Sequence, residues 1–141
     1  MKKLISLSVV MLFVLSFFSV NSLAADKKTK TAVSKTAKVE VYYFHYTRRC
    51  ITCNAVENVT KEAIAEMYPA QFKKGLITFK SINLDEKENE AIAKKCQAEG
   101  QALLVVSNAQ RVDLTDKGFM YARSKPEKLK EEIKNAIDPL L

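Results

Sequence analysis

Two cysteines with two residues between them, Cys50-Ile51-Thr52-Cys53, follow a basic turn, Thr47-Arg48-Arg49, and an apolar run over residues 39–46. A thiol reacts as its thiolate, and a helix N-terminus, adjacent cations and a second thiol one turn on all favour that form. The spacing therefore suits thiol–disulfide exchange. Cys50, exposed at a helix start, is the expected nucleophile, Arg48 and Arg49 are placed to tune it, and Cys53, one turn in and more buried, is the expected resolving thiol. A permanent structural disulfide is the duller alternative; so short a loop restricts the unfolded chain little.

Metal chemistry is the other reading of the same residues. Cys50, Cys53, Cys96 and His45 match zinc ligands in type, yet a structural zinc site usually carries two ligand pairs and this chain has one. Three thiolates would suit a soft ion such as arsenite. Neither a resident metal nor a cofactor is expected, and no Gly-rich nucleotide fingerprint is present. His45, the one histidine, reads first as a packed strand residue, although its place five residues before Cys50 can bring it to the site. Tyr42, Tyr43 and Tyr46 read as strand core, with Tyr46 best placed to line a groove. Cys96 is left over from the pair, either as a small buried hydrophobe or as a third reactive thiol.

The elements that must position these groups follow from hydrophobic period. Residues 39–46 are β-branched or aromatic at nearly every position, with Glu40 the single acid, which suits a central strand covered on both faces. Cys53, Val56, Thr60, Ala63 and Met67 then recur at spacings of three and four, predicting a helix from about Cys50 to Pro69 with its N-terminus on the cysteine pair. A second strand is expected over 76–84 after Gly75. A helix over 88–98 should turn Ile92 and Cys96 inward and stop at Gly100. Residues 102–107 form an apolar strand, 108–110 a hairpin turn, and 111–115 an edge strand with one wet face. Ser124-Lys-Pro-Glu127 has the form of a capping box opening a last helix, with a stripe of Leu129, Ile133, Ala136, Ile137 and Leu140.

At the N-terminus, Met1-Lys2-Lys3, an apolar run over 4–20 and Ser22-Leu23-Ala24 have the order of a secretory signal peptide over residues 1–24. An uncleaved anchor is the alternative, and the only expected membrane contact. Cleavage after Ala24 would leave 117 residues, enough for one domain, and would lower the formal net charge from +7 to about +5. Much of that excess lies in residues 25–37, a lysine-rich segment with no apolar period that reads as a flexible tether before a domain over 38–141. Export makes a nucleic-acid partner unexpected. The protein is expected in the periplasm or outside the cell, where disulfides can form, and as a monomer.

A β-α-β-α-β-β-α order with Cys-x-x-Cys opening the first helix resembles the minimal thioredoxin fold, a single α/β domain with a central four-stranded mixed sheet. Ile82-Asn-Leu-Asp85 is similar to the strand end before the second helix of thioredoxins, and residues 100–106, Gly-Gln-Ala-Leu-Leu-Val-Val, resemble the stretch that carries their cis-proline. More narrowly, residues 42–53, Tyr-Tyr-Phe-His-Tyr-Thr-Arg-Arg-Cys-Ile-Thr-Cys, resemble exported proteins of the ArsF family of nitrophenyl compound nitroreductase subunits. The resemblance implies a thiol–disulfide oxidoreductase with protein thiols and disulfides as substrates, a transmembrane thiol electron donor and a periplasmic recipient. It also leaves room for a soft-metal or arsenical binder, or for an accessory subunit whose nitroreductase chemistry lies on another chain. Two positions depart from the pattern. Ala102 stands at the cis-proline position, so a trans bond is expected there. Phe44 stands where thioredoxins bury an aspartate, so the resolving thiol must lose its proton to another base or to water.

Overall fold

A computed structural model of the protein describes residues 39–108 and 110–141, all within one compact unit. The expected signal peptide, residues 1–24, and tether, residues 25–37, lie outside the described residues, as does Ala109 of the hairpin turn.

Strand β1 (Val39–His45) lies inside a four-stranded sheet of order β2-β1-β3-β4. It pairs in parallel with β2 (Ile77–Asn83) and antiparallel with β3 (Ala102–Ser107), which in turn pairs antiparallel with β4 (Gln110–Asp113). The parallel pair requires a crossover, and this is supplied by α1 (Ile51–Met67) and the short α2 (Pro69–Lys73). The expected single α/β domain with a central four-stranded mixed sheet is thus the architecture observed.

Both faces of β1 are covered, as its near-continuous hydrophobicity requires. Val39, Val41 and Tyr43 point to one side, into a core built with Val56, Ala63 and Ile64 of α1 and with Leu129, Ile133 and Ile137 of α5 (Pro126–Ile137). Tyr42 and Phe44 point to the other side, into a smaller cluster with Ala93 of α3 (Glu90–Lys95) and with Cys96, Ala102 and Leu104. Leu103, Leu104 and Val105 are fully buried in β3, each apolar side chain of that size contributing about 1.5–3 kcal/mol on burial.

Four expectations are corrected. The helix expected over 88–98 is a 3-10 turn, Lys87–Asn89, followed by α3, and Gly100 does not stop it. Its end is a Schellman arrangement in which Ala98 N–H donates to Ala93 O at 2.9 Å and Gln97 N–H to Lys94 O at 3.1 Å. Gln97 therefore holds the left-handed conformation, φ 55°, that glycine usually takes. The edge strand ends at Asp113, two residues early, because that side chain turns the backbone into a helix that the sequence did not announce, α4 (Thr115–Tyr121). Its Oδ1 accepts from Thr115 N–H at 2.9 Å. Lastly, Ser124 does not cap α5: its hydroxyl donates back to Met120 O at 2.9 Å, and Lys125 occupies the N-cap without a side-chain bond. Pro126 does open the helix at its first turn.

Candidate functional site: a disulfide at a helix N-terminus

The end of β1 and the start of α1 are fixed by the strand beside them. Leu84 N–H donates to His45 O at 2.7 Å, Thr47 N–H to Asp85 Oδ2 at 2.8 Å, and Asn83 Nδ2 to Thr47 Oγ1 at 3.0 Å. The Thr47 N–H holds the Asp85 carboxyl below the usual aspartate range. Asn83 and Asp85 thus buttress the turn that carries Arg48, Arg49 and Cys50. In the sequence they were visible only as a strand end.

Cys50 and Cys53 are joined in a disulfide with Cα atoms 5.0 Å apart, within the span such a bond allows. Cys50 is the N-cap of α1 and exposed, while Cys53 is 4 % exposed. The Cys50 sulfur accepts a hydrogen bond from Cys53 N–H at 3.0 Å, one of the N–H groups that a helix start leaves without a partner. That same donor, with the helix dipole, stabilises a thiolate on Cys50 once the disulfide is reduced. Beside the disulfide, Ile51 is 74 % exposed, so the site presents a sulfur and an apolar side chain together at the surface.

Gln101, which sequence reasoning did not single out, places Oε1 3.5 Å from Cys53 Sγ. An amide oxygen there is an acceptor for a Cys53 thiol in the reduced protein. Ala102 follows it as the first residue of β3, opposite Phe44, and no peptide bond among the described residues is cis. Phe44 is fully buried, and its phenyl side chain has no group that accepts a proton. Next to this segment lies a cavity of about 420 Å³ lined by Gly100, Gln101, Ala102 and polar side chains that include Arg111 and Asp116. Tyr46 is half-exposed and lines a second hollow of about 270 Å³ with Leu84, Ala93 and Ala98.

The two arginines part company. Arg48 is exposed, whereas Arg49 folds down the side of α1, its guanidinium bonded to Glu57 and set 5.5 Å above the ring of Tyr43. Glu57 also receives Lys61. Burial alone would raise this carboxyl, but the hydrogen bonds from Lys61 and Arg49 hold it below the usual range. An acid four residues after Cys53, on the helix face that carries Val56 and Thr60, was the available signal for this group.

His45 ends β1 with its ring stacked on Tyr43, centroids 5.8 Å apart, and Nδ1 2.9 Å from Tyr46 O. A carbonyl only accepts, so Nδ1 carries the hydrogen of this bond. Cys96 is not brought to the pair. It is buried in the cluster on the other face of the sheet, where burial and the Glu40 carboxylate push its thiol up. Among the described residues no three His, Cys, Asp or Glu side chains are grouped to hold a metal ion, and no helix is long and apolar enough to cross a membrane.

No family model matches the chain, and no curated protein matches it. Among solved structures, one described as "Structure of a malarial protein" is 18 % identical, with 71 % of this chain and 98 % of that chain covered and a TM-score of 0.45. That likeness is too slight to carry a functional argument.

Proposed function

We propose that this chain is a thioredoxin-like thiol–disulfide oxidoreductase, exported to the periplasm or beyond, that exchanges two electrons with partner proteins through Cys50 and Cys53. One observation carries the reading: an exposed sulfur at a helix N-terminus, disulfide-bonded to a buried one three residues on. A structural disulfide has no need of that asymmetry, whereas exchange requires one accessible sulfur and one shielded sulfur within reach of it.

In the reducing direction the Cys50 thiolate attacks one sulfur of a partner disulfide. The partner's S–S bond breaks, its other sulfur leaves as a thiolate, and a mixed disulfide to Cys50 forms. Cys53 then loses its proton to water or to a nearby base and attacks Cys50 Sγ. The partner departs with two thiols and the chain is left with the Cys50–Cys53 disulfide, two electrons having passed outward. Oxidation of a partner dithiol is the same sequence reversed. A transmembrane thiol protein would return electrons in the reducing case, in keeping with the ArsF-like string around the cysteines. The tyrosine- and arginine-rich approach to the pair is the basis for that narrower family assignment.

The test is a Cys53→Ser variant expressed with its leader in a Gram-negative host. Mixed disulfides on Cys50 that dissolve on reduction, together with reduction of insulin by the reduced wild-type protein, are the expected results. Absence of both would overturn the reading. The N-terminal mass of the recovered protein tests cleavage after Ala24.

A further inference from the structure

We infer that Glu57 is a positioning residue that draws the Arg49 guanidinium away from Cys50, so that the cation next to the nucleophile in sequence does not stabilise its thiolate. The inference rests on the proposed role of Cys50 and deepens it by assigning what sets the redox bias of the site.

Arg49 directly precedes Cys50, and a guanidinium on so long a side chain can reach a thiolate at the adjacent residue. It is engaged elsewhere. Its charge is paired with Glu57, seven residues into α1 from Cys50, which at 1.5 Å per residue is about 10 Å along the helix axis. The guanidinium also lies over Tyr43. Arg49 Nε is buried without a hydrogen-bond partner, so beyond its contact with Tyr43 the hydrogen-bonded anchoring of this side chain falls to Glu57. The Glu57 side chain is only 9 % exposed, which makes the anchor rigid and its field poorly screened. The remaining ionisable groups about the turn are Tyr43 and His45 from β1, Tyr46 and Arg48 in the turn, Lys61 on α1 and Asp85 after β2; Gln101, before β3, is neutral. With Arg49 held at Glu57, which it shares with Lys61, the Cys50 thiolate is left to the helix N-terminus and to Arg48. Stabilising a thiolate stabilises the reduced form and makes a site more oxidising. Glu57 therefore biases the Cys50/Cys53 pair toward its disulfide form and makes the reduced dithiol the better electron donor.

The experiment is a charge cycle on the full chain: Glu57→Gln, Arg49→Gln and the double variant, each combined with Cys53→Ser for alkylation of reduced Cys50 by iodoacetamide across pH. Equilibration of the matching Cys53 proteins with glutathione gives the potential. Glu57→Gln should lower the pH midpoint of alkylation so that the thiolate is roughly three- to tenfold more abundant, and should raise the potential by roughly 15–30 mV, the same factor at 29.6 mV per tenfold. Arg49→Gln alone should change the thiolate less than about twofold, and the double variant should return close to wild type. A Glu57→Gln midpoint equal to wild type overturns the inference. So does a shift that persists in the double variant, since it would then come from the field of Glu57 itself. Should Glu57→Gln not fold, Arg49→Gln alone still decides: a large upward midpoint would mean that Arg49 already serves the thiolate. Alkylation needs no partner, so these outcomes stand whether or not insulin is reduced.

Discussion

Replacing Cys50 by alanine removes both the disulfide and the sulfur that caps α1, and the two losses can be separated by measuring in reductant. The disulfide closes a loop of sequence separation 3, for which the chain-entropy contribution is about 2 kcal/mol. That much is lost on reducing the wild-type protein. The cap is a separate contribution, because the bond from Cys53 N–H to Cys50 Sγ, 3.0 Å long, can persist with a thiol and strengthens with a thiolate. A neutral N-cap is worth about 1 kcal/mol, and a hydrogen bond to a charged group about 1.5–3 kcal/mol. Cys50 is exposed, so the lower end applies. Reduced Cys50→Ala should therefore be about 1–2 kcal/mol less stable than the reduced wild type, roughly 5–15 °C in Tm for a domain of this size.

The pH dependence has a definite sign. A thiolate stabilised by folding binds its proton less tightly in the folded chain than in the unfolded one, where thiols titrate near about 8.5. Its added stability is complete above that value and is lost as pH falls through the folded one. Urea unfolding of both reduced proteins at pH 5 and pH 9 should show the gap about 1 kcal/mol wider at the higher pH. Cys50→Ser, which restores a neutral acceptor, should recover most of the gap at pH 5 and less at pH 9. An equal gap at the two pH values, or no gap, would refute the claim that the helix start stabilises this sulfur.

Other substitutions test the surrounding structure. Gln97→Gly should raise stability by roughly 0.5–1 kcal/mol in thermal unfolding, because the residue sits at φ 55° and glycine removes the Cβ penalty there. Gly118→Val should destabilise by about 1–3 kcal/mol, since even a Cβ at Gly118 would lie 3.2 Å from Val56 Cγ1 and 3.4 Å from Leu103 Cδ2. For Glu57, whose carboxyl is held below its usual range, the stability it supplies is full above the unfolded value of about 4.3 and is lost as pH falls through the folded one. The difference between wild type and Glu57→Gln should accordingly shrink between about pH 5 and pH 3, and a constant difference in urea unfolding would contradict the pairing.

How much of this was legible in the sequence depended on how local the determinants were. The β1–α1 unit was plain because residues 39–45 are apolar on both faces and because Cys53, Val56, Thr60 and Ala63 repeat at helical spacing; both signals lie within a few residues of the elements they specify. Helix α4 was hidden for the opposite reason. Val112-Asp113-Leu114-Thr115 alternates like the strand it follows, and the turn depends on Asp113 reaching Thr115 N–H while Thr115 Oγ1 accepts from Leu103 N–H at 3.1 Å, a bond across twelve residues. The close fit of Gly118 against Val56 and Leu103 is equally non-local. No compositional rule places glutamine in the left-handed position that ends α3. There the C-terminal carbonyls also gain Arg111, whose Nε donates to Cys96 O at 2.9 Å from a neighbouring strand.

The same division between local and distant determinants governs the site. Adjacency in sequence placed Arg48 and Arg49 together beside Cys50, and by charge alone they are equivalent. The fold separates them, because Arg49 lies where α1 offers the buried Glu57 carboxylate and β1 the Tyr43 ring, whereas Arg48 remains in solvent. Cys96 illustrates the converse. In a count of thiols it belongs with the pair, but β1 alternates its side chains across the sheet, so the helix that carries Cys96 packs on Tyr42 and Phe44 while α1 packs on Val41 and Tyr43. A three-thiolate site would require a thiol to cross the sheet. A two-thiol exchange site needs only the turn between β1 and α1, which the hydrogen bonds from Asn83 and to Asp85 and His45 O hold in place.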